Sequence, residues 1–247
     1  MVPFFPFQIF IPGKRNPLRG LLVLVAIGSV GVDSVLPSSA EAGATVTGKV
    51  VLKGPVPPAI EMGVTEDQAF CGKTLSITTV TTQKNGRGVV HAIVSLKNLE
   101  EGPAPTPHVQ ALHNTRCAFD QRVNALRLGD KLEVQNLDPI LHNAHGKFGT
   151  RTILNVAQVP GGRPFQKKMK YPGHLSITCD KHTFMQAHVL VFPHSYFSMT
   201  NEQGRFRIEE VPEGLQHITV WHETLGTLEK EITVPHQGTV TVDFVFP

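Results

Sequence analysis

Tyr171-Pro172-Gly173-His174-Leu175-Ser176-Ile177-Thr178-Cys179-Asp180-Lys181-His182-Thr183-Phe184-Met185 is the stretch on which the reading of this chain turns. A Pro-Gly turn opens it, a short β-type run follows, and the run ends on a cysteine. From Cys179 to Met185, a thiolate, an imidazole and a thioether follow one another at C-x2-H-x2-M spacing. At that spacing one tight loop can wrap one face of a single metal ion. The loop offers one imidazole, so a second has to come from elsewhere. The best donor is His142, in Asn136-Leu137-Asp138-Pro139-Ile140-Leu141-His142-Asn143.

The donor types narrow the metal. Zinc has little use for a thioether sulfur, whereas copper accepts one readily. Two histidines and a cysteine in a plane with a weak axial methionine describe a blue-copper electron-transfer site. Alone, Cys179-Asp180-Lys181-His182 is a weak signal; the Pro-Gly strand before it and His142 upstream strengthen it.

Outward from this loop, the chain reads almost entirely as strands. β-Branched or alternating runs lie at 44–51, 89–96, 125–134, 174–178, 188–192, 206–208, 217–221, 228–234 and 239–246. Gly- and Pro-containing turns separate them, among them Asn85-Gly86, Gln203-Gly204 and Pro212-Glu213-Gly214. Many short strands with such punctuation predict an all-β sandwich fold. No long amphipathic helix is visible, and residues 66–72 have room only for a short helical turn. Residues 100–107 carry three prolines and read as a linker.

Two resemblances refine this. Leu128-Gly129-Asp130-Lys131-Leu132-Glu133-Val134-Gln135-Asn136-Leu137-Asp138 is similar to the cupredoxin strand "G-x-x-[VL]-x-[VLF]-x-N-x-D", which leads to that family's first histidine ligand. The strand 171–179 is similar to the cupredoxin "P-G-x-[YL]-x-x-x-C" strand, and the C-x2-H-x2-M loop resembles the amicyanin subfamily most. The resemblance covers about a third of the chain and implies a Greek-key sandwich holding one mononuclear type 1 copper. His142, Cys179, His182 and Met185 are then the ligands. Asn143, which follows the first histidine, ties the two ligand loops together by hydrogen bonds. The imidazole of His182 faces solvent in an apolar patch to which Phe184 contributes. His145 stands as a competing ligand, a group behind the ligands or an exposed loop residue.

Separately, Thr45-Val46-Thr47-Gly48-Lys49-Val50-Val51, Thr200-Asn201-Glu202-Gln203-Gly204-Arg205-Phe206 and Val211-Pro212-Glu213-Gly214 resemble segments of carboxypeptidase regulatory-like, transthyretin-type sandwiches. Gly204 and Gly214 supply the positive φ that their turns demand. The expected organisation is a signal peptide at 1–42, N-terminal strands at 43–107, a cupredoxin-like domain at 108–195 and the regulatory-like portion at 196–247. Either two consecutive β domains, or a regulatory-like sandwich interrupted by the cupredoxin, satisfies this order.

Composition sets bounds. With 23 Lys and Arg against 20 Asp and Glu, the formal charge is +3, and no basic block is dense enough to suggest nucleic acid. All 12 histidines lie from His91 onward, which is compatible with metal handling. Lys14, Arg15 and Arg19 precede an apolar stretch at 21–32 and then small residues at Ala40 and Ala42. That is the pattern of an export signal, and its apolar stretch is too short to span a bilayer. A periplasmic or other extracytoplasmic mature chain with no transmembrane span is expected. Disulfides persist there. If Cys71 and Cys117 pair, Cys179 is left as the free thiol a copper ligand requires; the other reading is an inert buried thiol and no bridge.

The missing patterns matter too. There is no H-x-H pair or H-C-H triplet for a trinuclear copper centre, no C-x3-C for a dinuclear one, no haem-type C-x-x-C-H and no H-E-x-x-H. The expected function is that of an electron carrier, not an enzyme, working between redox protein partners. A Cu(I) chaperone is one alternative. A non-redox sandwich that binds carbohydrate or a protein partner is the other.

Overall fold

A computed structural model of the chain describes residues 43–84, 86–100 and 106–247. The signal-peptide reading of residues 1–42, most of the linker and Asn85 lie outside the described residues. The described residues are all-β apart from one short helix, Gln68–Cys71, which falls within 66–72. No described helix is long and apolar enough to cross a membrane.

Two separate hydrophobic cores organise the strands. The first is filled by Val46, Val50, Leu96, Phe206, Ile218 and Phe244, among others. It lies between two sheets. One sheet orders Arg205–Val211, Ala44–Leu52 and Thr239–Thr241, with Phe244–Phe246 also pairing Ala44–Leu52 in parallel. The other orders Phe197–Met199, Ile93–Leu96, Gly214–His222 and Gly226–Val234. Alternation along Gly214–His222 puts Ile218 and Val220 fully inside, as the period-2 side-chain pattern of a strand requires.

The chain leaves this sandwich after Ile93–Leu96 and rejoins it at Phe197–Met199, which pairs antiparallel with the strand it left. The second sandwich is built in between. One of its sheets orders Arg151–Gln158, His142–Phe148, Gly173–Thr178, Gln186–Phe192 and Val123–Arg127; the other orders Phe165–Lys168, Lys131–Asn136, Val109–Thr115 and Ala118–Phe119. Leu112, Leu126, Leu132, Val134, Leu175 and Ile177 fill its core. Val109–Thr115 runs parallel to Lys131–Asn136, and Val123–Arg127 runs parallel to Gln186–Phe192. The second sandwich is therefore not a simple meander.

A small hairpin, Ile60–Gly63 with Thr74–Ile77, completes the picture. Its residues Met62, Val64, Leu75 and Ile77 pack on the second core.

Three expected strands differ. The run 125–134 is two strands, because Gly129 turns the chain at φ 95°. The run 89–96 forms a strand only from Ile93, since Val89 makes an isolated bridge to Thr82 and His91 adopts φ 62°. The run 239–246 breaks into Thr239–Thr241 and Phe244–Phe246. Gly204 and Gly214 do take positive φ, 72° and 101°.

Candidate metal centre

The strands of the second sandwich bring the sequence-selected residues to one end of it. Strand Gly173–Thr178 pairs with His142–Phe148 in the register Thr178↔His145, Ile177↔Gly146. Continuing that register carries Cys179, just past one strand, towards the start of the other, where His142 lies. Side chains at Gly146 would crowd the pairing: an added Cβ would come within 3.1 Å of Leu154 and 3.3 Å of Leu175.

The ligand loop is a tight turn. The N–H of Met185 donates to the His182 carbonyl (2.8 Å), and the N–H of Cys179 donates to the Met185 carbonyl (3.3 Å). The result gathers His142, Cys179 and His182, all buried, with one donor atom from each within 4.8 Å of the others. His142 Nδ1 lies 3.0 Å from His182 Nδ1, and Cys179 Sγ lies 3.7 Å from His182 Nδ1. Met185 is buried beside them at 2% exposure.

The other nitrogen of each ring is already committed. His142 Nε2 is 2.9 Å from Asp138 Oδ2, and both Asp138 oxygens accept backbone N–H groups, from Arg116 (2.6 Å) and Cys117 (2.8 Å). His182 Nε2 is 2.9 Å from Asp67 Oδ2. Asp67 is held below the usual carboxylate range chiefly by its hydrogen bond from Lys181. A carboxylate can only accept, so each imidazole holds an N–H on Nε2, and on a neutral ring Nδ1 is the acceptor. Burial lowers the pKa of His142, against the pull of Asp138, and favours that neutral ring.

The two Nδ1 atoms face each other at hydrogen-bond distance. Cys179 Sγ also faces in as an acceptor, taking N–H groups from Asn143 and His182 at 3.4 Å each. Two imidazole nitrogens and a sulfur converging in one buried pocket suit a cation, and a carboxylate behind each ring is the usual support of a metal-bound histidine. The donor set fits a metal ion.

Around the ligands, Asn143 bridges the two chain segments. Its Nδ2 donates to Asn155 Oδ1 and Asp180 Oδ2, both at 3.0 Å, and its Oδ1 accepts the Asp180 N–H at 2.6 Å. His145 lies on a strand, not in a loop. Its Nδ1 meets Asp180 Oδ1 at 2.8 Å and its Nε2 meets Thr152 Oγ1 at 2.9 Å, so both nitrogens are occupied away from the sulfur. The hydrogen bond from His145 is the main reason Asp180 is held below the ordinary carboxylate pKa.

One expectation fails. His182 is not solvent-facing: only 1% of it is exposed. The segment carrying the hairpin and the helix Gln68–Cys71 lies over it and puts Asp67 on its outer nitrogen, with Lys181 reaching the same carboxylate at 2.7 Å. Phe184 packs against the His182 ring at 5.6 Å, but beneath this cover, not in an open patch. The cover is bolted down by a disulfide between Cys71 and Cys117, which leaves Cys179 as the free, buried cysteine. A cavity of about 170 Å³ separates hairpin from ligand loop, with Leu75, Ile77, Phe119, Phe184 and Met185 in its walls.

Asp67 and Asp138 escaped the sequence reading. Asp138 had a signal, as the last residue of the N-x-D pattern. Asp67 had none, since its partner is 115 residues away.

No family model matches the chain, and no curated protein matches it. Among solved structures, a copper-containing nitrite reductase from Thermus scotoductus SA-01 is similar over 36% of this chain and 23% of its own, at 18% identity and TM-score 0.31. A reduced amicyanin variant is similar over 33% of this chain and 79% of its own, at 17% identity and TM-score 0.30. A purple cupredoxin from Nitrosopumilus maritimus is similar over 30% of this chain and 80% of its own, at 18% identity and TM-score 0.27. Identities and scores this low leave the donor geometry itself as the ground for any functional reading.

Proposed function

We propose that this protein is an exported, mononuclear blue-copper protein that carries single electrons between redox protein partners and catalyses no reaction itself. The observation that carries the reading is the pair of imidazole Nδ1 atoms, 3.0 Å apart, beside a buried free cysteine. In this reading His142, Cys179 and His182 would hold one copper ion, with Met185 as a weaker fourth donor. The bound copper supplies a one-electron couple.

The chain's own residues do the rest. Asp138 and Asp67 fix which nitrogen of each ring is free. Asn143 keeps the His142 strand and the cysteine loop at a constant spacing, and its N–H together with that of His182 lowers the charge density on the sulfur. The segment bearing Asp67 excludes water from the centre. The sandwich containing Ala44–Leu52 belongs, in this proposal, to the carboxypeptidase regulatory-like type and offers a surface for a protein or carbohydrate partner.

The Cu(I)-chaperone alternative draws no support from His145, whose two nitrogens are held by Asp180 and Thr152. A released cargo also sits poorly with a lid fastened by a disulfide. Loading the purified chain with one equivalent of Cu(II) tests the reading. It should turn intensely blue through thiolate-to-copper charge transfer, with a narrow copper hyperfine splitting in electron paramagnetic resonance. Cys179→Ser should abolish the colour. A colourless wild-type Cu(II) complex would overturn the proposal.

A further inference from the structure

A second histidine cluster lies far along the same strand that delivers Cys179, where the two sandwiches meet. His174 and His188 stand on adjacent antiparallel strands, in a register that pairs Ser176 with His188 and His174 with Leu190. They are therefore diagonal neighbours on one face, close enough for long side chains to touch. Their rings do meet: His174 Nε2 lies 2.9 Å from His188 Nδ1. Both rings rest edge-on against Trp221 of the other sandwich, at 5.3 and 5.8 Å between centroids.

Behind His188 stands a fixed charge. Its Nε2 faces Glu223 Oε2 at 3.2 Å. Arg122 grips the same carboxylate with both arms, Nε to Oε1 at 3.0 Å and an η-nitrogen to Oε2 at 2.6 Å. Burial opposes the charge on Glu223, but hydrogen bonds from His188 and Arg122 outweigh it and hold the pKa at about 2. A carboxylate at that position demands an N–H on His188 Nε2 and turns Nδ1 towards His174. A histidine whose outer nitrogen donates to a carboxylate is the ordinary support of a metal ligand. His174 is solvent-exposed, and partial burial, together with the neighbouring His188, lowers its pKa and favours the neutral ring a metal needs.

We propose that His174 Nε2 and His188 Nδ1 form a second metal site, a two-imidazole chelate for Cu(II) that is completed by solvent. At 2.9 Å the two nitrogens are close enough to reach one ion, and among divalent first-row ions a nitrogen and oxygen site holds Cu(II) most tightly. Five residues of extended strand, about 16 Å, separate His174 from Cys179, so the two sites are distinct.

Trp221 is the only tryptophan in the chain and touches both rings, which supplies the readout. The full chain carrying Cys179→Ser is titrated with Cu(II) while tryptophan emission is followed, and the titration is repeated with His174→Ala added. The expected result is saturable quenching that His174→Ala weakens by more than the roughly 10–100-fold of an outer-partner loss, with Glu223→Gln falling within that range. His174 is exposed, so its removal leaves the fold intact, and circular dichroism checks this. Absent quenching, or quenching that survives both His174→Ala and His188→Ala, would overturn the site. The blue colour of the Cys179 centre is read on the wild-type chain, so either site can fail without the other.

Discussion

Removing the disulfide by Cys71→Ala with Cys117→Ala is the most direct test of how the centre is closed. The bridge spans 46 residues, and closing a loop of that length is worth about 4 kcal/mol at 25 °C in the chain-entropy account. The cover has little else of comparable size. Its hairpin pairs only with itself, and an isolated two-stranded hairpin is marginal in water. Its best apolar anchor is Val64, 3% exposed, whose burial contributes about 1.5–3 kcal/mol. Met62, Leu75 and Ile77 are only partly buried against the core, so the bridge is the largest single hold. In the double variant, global stability by urea denaturation should fall by up to about 4 kcal/mol. Hydrogen exchange in residues 60–77 should become faster than in strand Gly173–Thr178, and His182 should become reactive to an imidazole-modifying reagent. Cys179 is then the only thiol, so no disulfide scrambling confuses the result. If residues 60–77 stay as protected as the core strands and His182 stays unreactive, the bridge is not what keeps the centre covered.

Other outcomes follow from the same contacts. Asn143→Ala removes two hydrogen bonds to Asp180 of the cysteine loop and one to Asn155 and should cost about 1–3 kcal/mol, measured by urea unfolding of the metal-free chain. Gly48→Ala would drive a Cβ to within 1.8 Å of the Val242 carbonyl; near-ultraviolet circular dichroism should show loss of tertiary structure around Trp221. His194 and His222 are buried, and the Nδ1 of each accepts a backbone N–H, from Tyr196 and Thr224. Desolvation lowers both pKa values, so the unfolded chain binds more protons below its ordinary histidine pKa of about 6.5. Stability should therefore be intact above that pH and fall as pH drops below it. Urea titrations at pH 7 and 5.5 should show the loss, and His194→Asn with His222→Asn should shrink it.

The sequence was most legible where chemistry is local. Cys179, His182 and Met185 share one turn, and a Pro-Gly punctuated strand precedes them, so neither needed tertiary information. Strand His142–Phe148 was missed as a strand because its inward positions are Ala144, Gly146 and His142 itself; small and polar residues leave no hydrophobic alternation to read. Arg151–Gln158 escaped for a related reason, with only Leu154 and Gln158 fully inside. The cover could not be read at all: Asp67 meets His182 across 115 residues, and a short polar helical turn carries no mark of what it lies on. Likewise, nothing local in 171–179 says that His174 leans on Trp221, since only the insertion of one sandwich into the other brings them together.

That insertion also orders the chain's assembly in time. Thr47 meets Thr241 across 194 residues, so the strand Ala44–Leu52 waits for all of that intervening chain to leave the ribosome before its parallel neighbours exist. Every partner strand of the inner sandwich has emerged by residue 192. Synthesis from the N-terminus lets complete units fold first, so the histidine–cysteine pocket can be shaped while the outer strand still has a raw, unpaired edge, the kind of edge that recruits stray chains. A product cut short before Thr239 would keep its ligands and lose its manners, aggregating through Ala44–Leu52.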